Sequence, residues 1–167
     1  RLETIRRLGN NTSAASLKLE FKAQQAALER KFDEPLGRYR HMFSAVAIPH
    51  FVRAFEVAVQ RDTERRMAIT VIALKRYQLQ HGQYPAALSQ LAPQFLAREW
   101  MDPWSGRPFC YRLNADGSFT LYSVGMDGRD DGGEPAPEKT AKTAYDLWQG
   151  RDVLWPTPTL PDAPVKN

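Results

Sequence analysis

The sequence has a single cysteine, Cys110, and only three histidines, His41, His50 and His81. One thiol excludes an internal disulfide and any multi-cysteine zinc site, and the histidines are too scattered to mark a catalytic centre. No Gly-x-Ser-x-Gly elbow, His-Glu-x-x-His signature or glycine-rich phosphate loop after a strand occurs, so the familiar hydrolase, zinc-protease and nucleotide-binding readings have no anchor. Long apolar runs are missing too. The longest, Ala68–Leu74, is interrupted by Thr70 and falls far short of the ~20 residues that cross a bilayer. A membrane anchor is therefore expected only upstream of Arg1. No internal repeat is present. What remains is ordinary globular material, 43% hydrophobic and 25% charged over 167 residues, enough for one domain with an extension.

Charge is unevenly distributed. Residues 1–100 carry 16 Lys/Arg against 9 Asp/Glu, and residues 101–167 carry 7 against 10, so the two parts are +7 and −3. A basic half invites a nucleic-acid reading, since Lys and Arg displace counterions from phosphate. Arg61, Arg65, Arg66, Lys75 and Arg76, however, alternate with Asp62 and Glu64 on what reads as a helix, and mixed charge there describes a solvated face. No nucleic-acid partner is expected.

Gly9, Asn10 and Asn11 read as a break, after which Thr12 or Ser13 can cap a first helix. Its large apolar residues Leu17, Phe21, Leu28 and Phe32 step by four, seven and four along one face, and Pro35 and Gly37 end it. A second helix is expected from about Pro49 to His81, with proline in its first turn and Gly82 available beyond its end. Met67, Val71 and Leu74, flanked by Ile72, Tyr77 and Leu79, make its centre a broadly buried spine. A short helix follows over Ala86–Leu91. The period then changes from helical to alternating: Phe109, Tyr111 and Leu113, a turn over Asn114–Gly117, then Phe119 and Leu121 predict a β-hairpin. Four prolines between Pro156 and Pro164 predict an extended or disordered tail.

The residues with most chemistry are Ser123 and Gly125–Gly133, which include Asp127, Asp130 and Asp131. Three carboxylates in five residues repel one another, while glycines let the backbone curl so that carbonyl oxygens face inward with them. A hard cation such as calcium, which takes six to eight oxygens in flexible geometry, would relieve that repulsion. The spacing is not that of an EF-hand, and from composition alone a solvated surface turn is the simpler reading. Asp127 and Asp131 could in principle do acid–base work, but nothing marks a substrate pocket beside them. Asp102, Pro103 and Trp104 read as a structural turn into the hairpin: an acceptor for nearby amides, a fixed dihedral and a large apolar anchor.

Taken together, Ala73–Tyr77, His81–Pro85, Leu88, Leu91, Asp102-Pro103-Trp104, Gly106-Arg107-Pro108, Tyr111, Gly117, Phe119, Tyr122–Gly125 and Asp127-Gly128 resemble, in order and approximate spacing, the soluble domain of type II secretion major pseudopilins. Ala45–Pro49 is similar to the point where a pilin's membrane helix emerges into that domain. The resemblance implies an α+β fold, a long helical spine packed on a small antiparallel sheet, here with an additional N-terminal helix. It divides the chain into a helical extension (1–44), a pseudopilin-like domain (45–155) and a proline-rich tail (156–167). It also moves calcium from disfavoured to favoured, held by Ser123, Asp127, Asp130 and Asp131 with a later acid, Asp146 or Asp152, closing the site. The chain departs from the pilin pattern where Arg38, Arg40 and His41 replace an apolar helix.

The function these readings imply is a non-enzymatic structural or interaction module outside the cytoplasm, in the periplasm or cell envelope. Its partners would be proteins, other pilin-like subunits among them. The competing expectation is a stand-alone extracytoplasmic domain that binds a protein or glycan through the first helix's apolar stripe. A hydrolytic enzyme using the acidic loop is a third.

Overall fold

A computed structural model describes residues 13–14, 16–20, 23, 26–27, 37–134, 148 and 151–156, residues 37–51 through their backbone alone. Phe21, Leu28, Phe32, Pro35 and Asp146, and the tail beyond Pro156, lie outside the described residues. Residues 14, 16–20, 23 and 26–27 are helical, as the capped first helix requires, and Ser13 Oγ accepts a bond from the Ser16 amide at 3.2 Å.

The spine is one 45-residue helix, α1 (Gly37–His81), about 67 Å long. It begins twelve residues before the expected start at Pro49. Apart from Pro49 itself, no glycine or proline follows Gly37 within the helix, and one proline removes a single ladder bond, which so long a helix tolerates. The helix crosses position 44/45 without a break and ends where Gly82 takes φ +78°.

The buried face of α1 runs through Val59, Thr63, Met67, Thr70 and Leu74, steps of four, four, three and four. The two threonines are satisfied within the helix: Thr63 Oγ1 donates to the Val59 carbonyl and Thr70 Oγ1 to that of Arg66. Ile72 and Leu79 are 60% and 76% exposed, a correction to the broad apolar face expected of them. At 100° per residue they sit roughly 140–160° around the helix from Leu74, on the side the sheet does not cover.

After α1 the chain makes a short 3₁₀ helix, η1 (Leu88–Leu91), whose Leu88 and Leu91 pack back on the spine with Phe95 and Leu96. The expected hairpin follows as β1 (Cys110–Leu113) and β2 (Phe119–Ser123), antiparallel with Cys110 opposite Tyr122 and Leu113 opposite Phe119. Sequence reasoning did not foresee β3 (Val153–Leu154), which pairs antiparallel with the end of β2, giving the order β1-β2-β3. The architecture is α+β: a long helix on a small antiparallel sheet.

Two apolar clusters hold these layers together. One gathers Met67, Leu74, Leu91, Phe109 and Leu121; the other gathers Ala14, Val59, Trp104, Val124, Met126, Trp148 and Val153. Full burial of one such large side chain contributes about 1.5–3 kcal/mol. The N-terminal segment joins the second cluster. Ala14 and Leu17 are buried, the Ala14 amide donates to the Pro103 carbonyl at 2.8 Å, and Lys18 pairs with the buried Glu56 at 3.0 Å.

Candidate functional site

Asp102 ties the turn before the hairpin to the end of β2. It is 1% exposed, and its carboxylate accepts from the Trp104 amide (3.0 Å), the Ser123 hydroxyl (2.9 Å) and the Val124 amide (3.1 Å). Its own amide donates to the Arg107 carbonyl and its carbonyl accepts from Gly106, closing the turn. Burial pushes the Asp102 carboxyl above its ordinary range, against the three hydrogen bonds and the nearby Arg66 charge. Trp104 is wholly buried beside it. The Asp102-Pro103-Trp104 stretch is thus a knot between loop and sheet.

Ser123 belongs to that knot: besides donating to Asp102, its Oγ accepts from the Gly125 amide at 3.2 Å. Gly125 has φ +68°, and a β-carbon there would stand 2.5 Å from the Arg151 carbonyl oxygen. The neighbouring Met126 amide donates to the Trp148 carbonyl at 3.1 Å. The C-terminal segment therefore lies directly across the start of the acidic loop.

The acidic residues separate by environment. Asp127 is exposed and its Oδ1 accepts from the Arg129 amide, a local turn contact. Asp130 Oδ1 accepts from the Tyr122 hydroxyl (3.0 Å) and the Gly132 amide (2.9 Å), and Cys110 Sγ lies 3.7 Å from its Oδ2. These bonds, that from Gly132 foremost, hold the Asp130 carboxyl below its ordinary range. Cys110 and Tyr122 reach the same carboxylate because they are directly paired across β1 and β2, and paired residues share a face. Burial, then the Asp130 charge, pushes the Cys110 thiol up to about 11; burial and the bond to Asp130 raise Tyr122 as well.

Asp152 comes from the far side of the sheet, one residue before β3, and is 1% exposed. Its Oδ2 accepts from the Asp131 amide (3.0 Å) and the Gly133 amide (2.7 Å), so it grips the loop by the backbone. Its Oδ1 is buried with no hydrogen-bond partner. Burial raises its carboxyl, the Gly133 amide opposes that, and the charges of Asp130 and Asp131 raise it further. A buried carboxylate oxygen without a donor, pressed by two more acids, has the chemistry of a hard-cation ligand.

The structure brings Asp130, Asp131 and Asp152 into one neighbourhood, gives Ser123 to Asp102, and leaves Asp127 on the surface. Among the described residues no three His, Cys, Asp or Glu side chains converge as a metal ion requires. Tyr122 and Cys110 were missed from sequence. Their alternation with core residues placed them on a strand, but nothing local named Asp130 as their partner.

The sequence model of one family, type II secretion system protein G, matches residues 50–141. The chain belongs to that family. The matched span contains most of α1, the Asp102 knot, the hairpin and the acidic loop, and stops before Asp146 and Asp152. Neither a curated protein nor a solved structure matches the chain. Protein G is the major pseudopilin of type II secretion, a structural and non-enzymatic component that assembles with other pilin-like subunits. Among the described residues no helix is long and apolar enough to cross a membrane.

Proposed function

We propose that this protein is a structural subunit or adaptor of a pseudopilus-like assembly on the outer side of the cytoplasmic membrane, with the loop after the hairpin stabilised by calcium. The family match over residues 50–141 carries the reading. Asp152, whose Oδ1 is buried without a hydrogen-bond partner and whose carboxyl is raised by the charges of Asp130 and Asp131, supports the metal. In this reading Asp130, Asp131 and Asp152 would close on the ion from the separated positions they hold here, while Ser123 stays on Asp102 and Asp127 on the surface. Bound calcium supplies positive charge that removes the carboxylate repulsion; the protein supplies the backbone grip from Asp152.

The alternative, a stand-alone binder using the first helix's apolar stripe, is disfavoured by Leu17. That member of the stripe is 1% exposed because this chain covers it.

Isothermal titration with calcium, and thermal melts in calcium against chelator, test the metal. Binding should raise the melting temperature, and Asp152→Asn should abolish that rise, because a ligand held only by the native state stabilises it. No heat of binding and superimposable melts would remove calcium from the proposal. Crosslinking in secreting cells tests the assembly: recovery of pilin-like subunits is expected, and their consistent absence would overturn it.

A further inference from the structure

Tyr122 touches the acidic loop at two points. Its hydroxyl donates to Asp130 Oδ1 at 3.0 Å, and its ring lies against Gly133, where a β-carbon would stand 3.2 Å and 3.3 Å from two ring carbons. The Gly133 amide also donates to Asp152 Oδ2 at 2.7 Å, so a ring and a buried carboxylate both hold this glycine. Asp130 is placed otherwise. It stands midway between Gly128 and Gly132, which have positive φ of +71° and +77°, and a β-carbon on Gly132 would meet nothing within 4 Å. The segment bearing Asp130 can therefore turn about its glycines while Gly133 stays fixed. Both oxygens of Asp130 are engaged: Oδ1 accepts from the Gly132 amide (2.9 Å) as well as from Tyr122, and Oδ2 lies 3.7 Å from Cys110 Sγ. Held so, this carboxylate does not converge on one point with those of Asp131 and Asp152. Asp152, 1% exposed, keeps its Oδ1 without a donor.

We propose that Tyr122 sets the affinity of this loop for a divalent cation, because its hydroxyl and the ion compete for Asp130. The inference rests on the calcium reading above. A carboxylate oxygen has two lone pairs, and those of Asp130 Oδ1 already point at two donors, while its Oδ2 lies beside the Cys110 thiol. A cation seated at the partnerless oxygen of Asp152 recruits Asp130 only after the bond from Tyr122 has broken. The swing takes place at Gly128 and Gly132, and the grip of Asp152 on the Gly133 amide survives it. The two parts of the tyrosine thus act in opposite senses: the ring supports the loop, and the hydroxyl holds one of its acids away from the ion. What loading gives up is a hydrogen bond to a charged acceptor, stronger than a neutral one, so removing that bond beforehand tightens binding.

Calorimetric titration of the wild type and Tyr122→Phe with calcium chloride tests this. Phenylalanine keeps the ring against Gly133, and melts in chelator check the fold. Tyr122→Phe should bind calcium about tenfold more tightly, the size expected from freeing a carboxylate of one such bond. Asp130→Asn should bind at least about tenfold more weakly, with or without Tyr122→Phe, because a charged oxygen ligand is lost. Affinity of Tyr122→Phe equal to or below that of the wild type would overturn the competition and leave calcium in place. Unchanged affinity in Asp130→Asn would overturn it too, since Asp130 would not be what the hydroxyl and the ion share. No heat with either wild type or Tyr122→Phe would remove calcium and this inference together. A measurement on the unaltered chain stands beside the variants. Saturating calcium should move the near-ultraviolet tyrosine absorption to shorter wavelength, as a phenol that loses a carboxylate acceptor does, and a calcium difference spectrum identical to that of Tyr122→Phe would overturn the release of Asp130.

Discussion

Replacing Gly125 by alanine should damage this protein far more than the same change at Gly117. Both glycines have positive φ, +68° and +81°, and an alanine forced into that region is disfavoured by about 1–2 kcal/mol. At Gly117, in the hairpin turn, an added β-carbon meets nothing within 4 Å, so that conformational term is the whole effect. At Gly125 the β-carbon arrives 2.5 Å from the Arg151 carbonyl oxygen, a backbone atom that cannot swing aside as a side chain would. Relief requires moving Arg151 away from Gly125, next to the Val153 pairing with β2, and crowding of this kind adds about 1–3 kcal/mol. Gly125→Ala should therefore lose about 2–5 kcal/mol and Gly117→Ala about 1–2. For a chain of this size the first is a fall in melting temperature on the order of 10 °C and the second about half or less. Denaturant melts of both variants in chelator measure the difference without any metal contribution. Equal losses at the two positions would refute the claim that the C-terminal segment lies tight against Gly125.

Two further outcomes follow from buried groups. Asp102→Ala leaves the Trp104 and Val124 amides and the Ser123 hydroxyl without their acceptor; it should lose about 3 kcal/mol or more in denaturant melts, and a loss below about 1 kcal/mol would show that the knot is not sealed from water. Cys110 should alkylate slowly: with its thiol pushed from the ordinary 9.0 up to about 11, the thiolate fraction at pH 8 falls roughly a hundredfold, and the rate should climb through pH 11 and not level near 9. Asp130→Asn should speed the reaction at pH 8 by removing the adjacent charge; mass-spectrometric rates check both, and free-thiol kinetics in the native wild type would contradict the burial.

The hairpin was legible because it is encoded locally: alternation in Phe109–Leu113 and Phe119–Leu121, with a glycine-bearing turn between. The spine was legible in kind but not in extent. Pro49 resembles a helix start in sequence, and only the unbroken backbone shows it inside. Ile72 and Leu79 are hydrophobic yet exposed, and no sequence rule says which side of a long helix a small sheet will cover. The candidate site divides along the same line. The residue types of Asp102, Ser123, Asp130 and Asp131 announced hydrogen-bonding or ligating chemistry, but the Asp102–Ser123 bond joins positions 21 apart and belongs to the tertiary fold. The two-residue β3 carries no periodicity at all. Asp152 was one of two acids that order along the chain could offer, and its grip on the Asp131 and Gly133 amides comes from β3 pairing with β2.

That late pairing makes the end of the chain the keystone of the loop. Trp148, Asp152 and Val153 arrive beyond the family-matched span, yet they cover Met126, fasten two loop amides and extend the sheet in a single stroke. Peeling this strap away would free all three attachments together, as one cooperative unit of local opening. The rigidity of the acidic loop is thus inherited from a distant stretch of sequence, and amide exchange at Asp131 and Gly133 should rise and fall with the strap's own.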